Sequence, residues 1–270
     1  MKAKFSVLIP VYIKEDPEFF QQCLDSILIQ SIQPDEIIIT ADRGISSAMQ
    51  KIINEASSVL PIKLITYLGN SQLGGSLNLG VLSCSNELIF RMDADDICVY
   101  DRFEYMLNVF NKADADLLGG WTNEFINKPN DIKRERRTPL NITLKNSWLR
   151  NPLNHPTVLF KKKSVLDSGN YQECIGCEDW YLWLRMLKNN KKLLNCDKVV
   201  VHQRVGNGFE NRRSGKKYLN YKINAIKTFK AEKLITTKAF WIIYFIEHLF
   251  RLLPKFFIKF MYDNLLRKSK

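Results

Sequence analysis

The chain has 270 residues and is 46% hydrophobic, which excludes a disordered chain and fits one large domain or one domain with an appendage. Its net charge of +12 is uneven: residues 212–270 carry 15 Lys/Arg against Glu232, Glu247 and Asp263, while the first 211 residues balance to zero. A neutral body with a cationic tail calls for an anionic partner, either a membrane surface or nucleic acid.

Short apolar runs alternate with helical patterns through the first half. Phe5 to Ile9 reads as a strand and Pro17 to Gln30 as a helix; Glu36 to Thr40 is followed by a helix from Ser46 to Ser57. Ile62 to Thr66 precedes a helix at Ser76 to Ser83, and Glu87 to Met92 precedes one at Arg102 to Phe110. Such alternation predicts βαβ units on a mainly parallel sheet, whose ligands collect at the carboxyl ends of the strands. The second half is less regular. A basic loop is expected at Asn127 to Pro139, a strand at Thr157 to Phe160, a helix at Asp179 to Asn189 and a strand at Lys198 to Arg204. Composition changes clearly only near residue 212, so residues 1–211 are read as one catalytic-type domain and 212–270 as a tail.

Cys23, Cys84, Cys98, Cys174, Cys177 and Cys196 are too sparse for a disulfide scaffold, and the short apolar run ended by Pro10 is not a secretory signal. A reducing cytoplasm is the expected setting. Cys174-Ile175-Gly176-Cys177 has redox spacing, but no second cysteine pair or neighbouring His completes a zinc site, and it is read as coincidence.

In the tail, apolar residues from Phe240 to Met261 are interrupted by Glu247, Arg251, Lys255, Lys259 and Asp263, one helical stripe of polar positions. The longest uncharged run, Ala239 to Ile246, is far short of the roughly 20 residues that span a bilayer. A basic amphipathic helix lying on an anionic membrane surface, kinked at Pro254, is the expectation; packing of this face on the body is the alternative. Nucleic acid is not expected, because the aromatic residues cluster with aliphatics and do not interleave with the basic ones.

The densest charge is Arg91-Met92-Asp93-Ala94-Asp95-Asp96, three carboxylates where a buried strand emerges into a loop. Hard oxygen ligands at such a turn suit Mg²⁺ or Mn²⁺ with open positions for phosphate oxygens. A solvated acidic turn capping the next helix is the competing reading. Downstream, Glu178 and Asp179 open an aromatic helix, where one carboxylate can cap the helix and the other face a cleft.

Taken in order, Ser6-Val7-Leu8-Ile9-Pro10-Val11-Tyr12, Leu77-Asn78-Leu79-Gly80, Arg91 to Asp96, Asn154-His155-Pro156-Thr157 and Glu178 to Arg185 resemble the family-2 glycosyltransferases of GT-A fold. The match runs from about Phe5 to Arg204, and more narrowly resembles the bacterial enzymes that build O-antigen and exopolysaccharide repeat units on a lipid carrier. The resemblance implies that Asp93, Asp95 and Asp96 bind Mn²⁺ or Mg²⁺ and, with Arg91, the ribose-diphosphate of a nucleotide sugar. It implies Asp42 as the uracil contact, Pro10, Tyr12 and Glu15 in the first loop over the nucleotide, and Asn78 in the segment closing that pocket. Asp179, paired with Glu178, would be the catalytic base, Arg204 a diphosphate contact, and His155 a group facing the acceptor or the diphosphate. Trp180 and Trp183 read as mostly core, with Trp180 the acceptor-side candidate that could stack on a sugar. The chain departs from the family at Ala41-Asp42-Arg43-Gly44, where Asp-Asp-Gly or Lys-Asp-Gly is usual, and at Ile13, where Asn is usual.

One base and no carboxylate nucleophile predict inversion at the anomeric centre. The expected activity is transfer of galactose or glucose from a UDP-sugar to a lipid-linked acceptor, GlcNAc-diphospho-undecaprenol, at the cytoplasmic face of the inner membrane. The alternative is a catalytically silent nucleotide-sugar or lipid-binding module of the same fold.

Overall fold

The computed structural model describes residues 3–42, 44–67, 72–206 and 215–252. Its first half alternates as expected: β1 (Phe5–Val11), α1 (Pro17–Leu28), β2 (Glu36–Asp42), α2 (Ser47–Ala56), β3 (Ile62–Tyr67), α3 (Leu73–Ser83) and β4 (Leu88–Arg91). Local chemistry sets the starts. The Asp16 side chain accepts the Glu18 N–H at 2.9 Å with Pro17 in the first turn of α1, and Ser46 caps α2 through the Met49 N–H. α3 has no cap of its own. Glu173 Oε1 supplies one from about a hundred residues away, accepting the N–H groups of Gln72 and Gly75, each at 3.0 Å.

The chain continues through β5 (Ile97–Cys98), α4 (Arg102–Ala113), β6 (Leu117–Phe125), β7 (Ile132–Arg136), α5 (Leu144–Ser147) and a 3₁₀ turn at His155–Thr157. It then forms β8 (Leu159–Lys161), α6 (Lys162–Asp167), α7 (Glu178–Lys188) and β9 (Leu193–Arg204). The strands order as β3-β2-β1-β4-β8-β6-β9-β5, with β7 on β6. β3, β2, β1 and β4 are mutually parallel, so Val11, Asp42 and Arg91 end at one edge. The mainly parallel character stops there: β8 runs antiparallel to β4 and β6, β9 is parallel to β6, and β5 is antiparallel to β9. The basic loop expected at 127–139 is corrected, since it contains β7, antiparallel to β6. Its Lys and Arg residues sit on an edge strand, where charge discourages further pairing.

Both faces of the parallel half are covered. Phe5, Val7, Ile9 and Val11 pack into one core with α1, α2 and α4, where the rings of Phe5, Phe90 and Phe103 lie 4.7–5.2 Å apart. Leu8 and Ile38 point the other way, to Leu77, Val81, Leu182 and Trp183 of α3 and α7. This is the period-two alternation of a strand buried on both sides.

A third core lies beyond α7. There Trp180, Tyr181 and Leu184 meet Ile223, Ile226 and Phe229 of α8 (Gly215–Ala231) and Phe240 and Ile243 of α9 (Thr237–Leu252). Tyr181 hydrogen-bonds Glu232, and Lys222 of α8 pairs with Glu247 of α9, so this member of the expected polar stripe faces the protein. The outward face of α9 presents Trp241, Phe245 and Leu249, which are 48%, 64% and 58% exposed. Among the described residues no helix is long and apolar enough to cross a membrane. Pro254, Lys255, Lys259, Met261 and Asp263 lie outside the described residues, as does the compositional boundary at 212.

Phe229 is fully buried, with its ring centroid 5.3 Å from Trp180 and 5.7 Å from Tyr181. Phe229→Ala should therefore lower stability by about 3 kcal/mol in urea unfolding; an unchanged midpoint would mean that α8 is not part of the folded core.

Candidate active site

β4 delivers Arg91 to the sheet edge and the acidic loop follows at once. Arg91 is 1% exposed and ion-pairs with Asp93. Arg102 of α4 fixes the turn from behind, donating to the carbonyls of Arg91 at 2.7 Å and Pro156 at 2.8 Å. Asp96 is also buried. Its Oδ1 accepts the Arg204 N–H at 2.8 Å, while Oδ2 is buried without a hydrogen-bond partner among the described residues. Burial pushes the Asp96 carboxyl well up, and repulsion from Asp95 and Asp93 adds to it.

An orphaned carboxylate oxygen beside two further carboxylates is a donor set that fits a hard divalent cation. Among the described residues no three such side chains already converge on a metal-sized point.

Arg204, expected at a diphosphate, is occupied as a strut. Its Nε donates to the Asp95 carbonyl at 3.1 Å, Nη2 to Gln22 Oε1 at 2.6 Å, and Nη1 to the carbonyls of Ile126 and Asn127. The guanidinium lies over the rings of Phe19 and Phe125, 3.8 and 4.5 Å from their centroids. β5 pairing with β9 sets this up, since Ile97 opposite His202 puts Arg204 beside Asp95 and Asp96.

Pro10 is buried in β1 opposite Thr40, Tyr12 is 59% exposed in the loop that follows, and the Glu15 N–H donates to the Tyr12 carbonyl at 2.9 Å. Asp42 ends β2 in register with Tyr67. Asn78 of α3 is tied down, donating to the Tyr171 carbonyl at 2.7 Å and accepting at its own carbonyl from Asn170.

Across Arg91 from the acidic loop sits the first turn of α7. Asp179 Oδ2 accepts from Asn151 Nδ2 at 2.6 Å and Oδ1 from the Trp180 N–H at 2.7 Å, with His155 Nδ1 3.9 Å away. His155 Nε2 meets the Tyr171 hydroxyl at 3.0 Å. Burial first, then Arg91, holds the imidazole well below its usual range and hence neutral. Glu178 is buried beside this group; burial and then Asp179 lift its carboxyl to about 7. The structure thus brings Arg91, Asp93, His155, Glu178 and Asp179 together around one buried guanidinium.

Trp180 corrects an expectation. It is 4% exposed, donates its indole N–H to the Ser147 carbonyl at 2.8 Å and packs edge-on to Phe229, so its ring is inside the third core and not open to a sugar. Conversely, Asn151, Tyr171, Gln22 and Arg102 hold the site and were not expected in it. Asn151-Pro152 is legible as a turn dipeptide, but nothing local announces that its amide reaches Asp179, 28 residues on.

Because Glu178 holds its proton more tightly folded than unfolded, it adds stability at low pH that is lost as pH rises from its ordinary 4.5 to about 7. Glu178→Gln should gain on the wild type by about 3 kcal/mol across that window and by no more above it. A pH-independent difference in unfolding free energy would show that Glu178 is not buried as described.

The sequence profile described as "Glycosyl transferase family 2" matches residues 6–176. The UDP-Gal:alpha-D-GlcNAc-diphosphoundecaprenol beta-1,3-galactosyltransferase of Escherichia coli is 37% identical over 98% of this chain and 97% of its own length. The amylovoran biosynthesis glycosyltransferase AmsE of Erwinia amylovora is 31% identical over 96% and 98%. Among solved structures, Staphylococcus aureus TarS 1–349 in complex with UDP-GlcNAc superposes with a TM-score of 0.65, at 18% identity over 83% of this chain and 65% of that one. The mannosyltransferase PcManGT of Pyrobaculum calidifontis, in complex with GDP-Man and Mn²⁺, gives 0.62 at 13% identity over 96% and 83%.

Proposed function

Because the chain belongs to glycosyl transferase family 2, we propose that it is an inverting hexosyltransferase moving galactose or glucose from a UDP-sugar to GlcNAc-diphospho-undecaprenol in surface polysaccharide synthesis. The observation that carries this reading is the pairing of functions across Arg91: an acidic loop suited to a nucleoside diphosphate on one side, a positioned carboxylate on the other. The nearly full-length likeness to the E. coli galactosyltransferase supports the acceptor class.

Asp179 takes the proton of the attacking hydroxyl. Hydrogen bonds from Asn151 and from the Trp180 N–H hold its carboxylate, and the neighbouring Glu178 is buried, with its carboxyl lifted to about 7. The acceptor oxygen bonds to the anomeric carbon as the bond from that carbon to the diphosphate oxygen breaks, and UDP leaves with the electron pair. Attack opposite the leaving group inverts the centre, so a UDP-α-sugar yields a β-linkage. Asp93, Asp95 and Asp96 would hold Mn²⁺ or Mg²⁺, which neutralises charge on the departing diphosphate when bound. Arg204 contributes by bracing that loop, and Asp42, Pro10, Tyr12, Glu15 and Asn78 are assigned to the nucleotide by their positions at the carboxyl ends of β1 and β2 and on α3.

The exposed Trp241, Phe245 and Leu249 of α9, on a segment rich in Lys and Arg, support peripheral attachment to an anionic membrane surface, at the inner face where the lipid-linked acceptor resides.

Release of UDP, measured with Mn²⁺ across a panel of UDP-sugars and a synthetic GlcNAc-diphospho-lipid, should occur with one hexose and stop with EDTA. Asp179→Asn should reduce it by about 10³-fold; retained turnover would remove Asp179 as the base. Trp241→Ser with Phe245→Ser should weaken sedimentation with phosphatidylglycerol vesicles by about tenfold, given the apolar area removed. Undiminished binding would place the membrane contact elsewhere.

A further inference from the structure

Between Glu135 and Asp167 the chain has no carboxylate, yet it holds Arg136, Arg137, Lys145 and Arg150 before the catalytic turn is reached. Within this stretch, residues 137–150 form a strap across the flank of α7. Its inner side is fixed: the Pro139 carbonyl accepts from Asn195 at 2.7 Å, Asn141 bridges to Leu194, and Ile142 and Ser147 are buried. Asn146 closes the turn onto Thr143 N–H at 2.8 Å and the Asn141 carbonyl at 3.0 Å. The outer side is a mixture of apolar and basic groups. Leu140, Leu144 and Leu149 are 46%, 36% and 46% exposed, and Lys145 and Arg150 are exposed among them.

Two hydrogen bonds set this strap against the base. The Ser147 carbonyl receives the Trp180 indole N–H at 2.8 Å, and Asn151, the residue after Arg150, grips Asp179 at 2.6 Å. An acceptor sugar whose hydroxyl lies at Asp179 must extend its diphosphate and then its hydrocarbon away from the donor. Among the described residues the strap adjoins Asp179 through Asn151 and carries cations for the first and leucines for the second. Leucines held outward on a braced backbone cost solvent exposure that a hydrocarbon would relieve, and Lys and Arg suit phosphate oxygens.

We infer that residues 137–150 are the docking strap for the diphospho-polyprenyl part of the acceptor, with Lys145 and Arg150 on the diphosphate and Leu140, Leu144 and Leu149 on the first isoprene units. The assignment rests on Asp179 marking the acceptor side.

The test is binding of the full-length protein to GlcNAc-diphospho-undecaprenol in neutral detergent micelles, measured by thermophoresis. The double variant Lys145→Gln/Arg150→Gln should bind at least tenfold more weakly, and Leu144→Ser/Leu149→Ser several-fold more weakly. The leucine variant should match the wild type when the same headgroup is carried on a short alkyl chain. All should bind phosphatidylglycerol micelles alike. Wild-type affinity in both double variants, or equal losses on phosphatidylglycerol, would overturn the strap, the latter in favour of general attraction to anionic lipid. Asp179→Asn separates the two readings: normal lipid binding without turnover supports both, whereas retained turnover sinks the base assignment and leaves the strap to be judged on binding alone.

Discussion

A fully buried guanidinium is the constraint around which this site is built. Arg91 cannot be neutralised, and its burial is tolerable only because carboxylate and polar groups surround it. Asp93 pairs with it directly, and the Arg91 charge also acts on His155, Tyr171 and Glu178. Among the described residues Nε and Nη1 of Arg91 have no hydrogen-bond partner, so these residues answer its positive charge incompletely. A cation in that position lets two acidic groups approach one cleft from opposite sides without repelling each other apart. Burial first, and then this cation, keep the His155 imidazole neutral.

The second half of the chain holds the first half's loop in place. β9 runs parallel to β6 and antiparallel to β5, and through Arg204 it clamps Asp95 and Asp96 to Gln22 of α1. α3, which carries Asn78, is capped by Glu173 and hydrogen-bonded to Tyr171. At Gly74 a Cβ would lie 2.7 Å from the Gln172 carbonyl oxygen, so only glycine permits this approach of helix to loop. The α3 side of the cleft and the α7 side are thus tied by contacts spanning about a hundred residues of sequence.

The parallel half is legible because each strand there is a short apolar run bounded by turn residues and followed by a helical pattern. β6 is not, because Gly119, Gly120, Thr122 and Asn123 interrupt its pattern although the strand is almost wholly buried. β7 reads as a basic loop because an edge strand needs no apolar face on its open side. The carboxylates were legible as dense or paired charge in a predicted turn or helix start. Their holders were not: Asn151, Tyr171 and Gln22 act across long separations, and an isolated amide or phenol has no local signature. Trp180 sits in the core, and only its stacking on a sugar is lost. An aromatic residue next to a carboxylate looks like a sugar platform until a helix far along the chain, α8, covers it.

That covering has a mechanical consequence. Phe229 and Tyr181 lock α8 onto the helix that bears Asp179, and α9 is locked in turn by Phe240 and Ile243. Packed helices keep axes about 8–10 Å apart, so the stack has a set thickness from the outward Trp241 face to the carboxylate. If a bilayer receives that face, the stack is a ruler: it fixes the altitude at which a hydroxyl can be deprotonated. Acceptors would then be sorted by how far their sugar stands above the lipid headgroups, before any contact with the sugar itself is made.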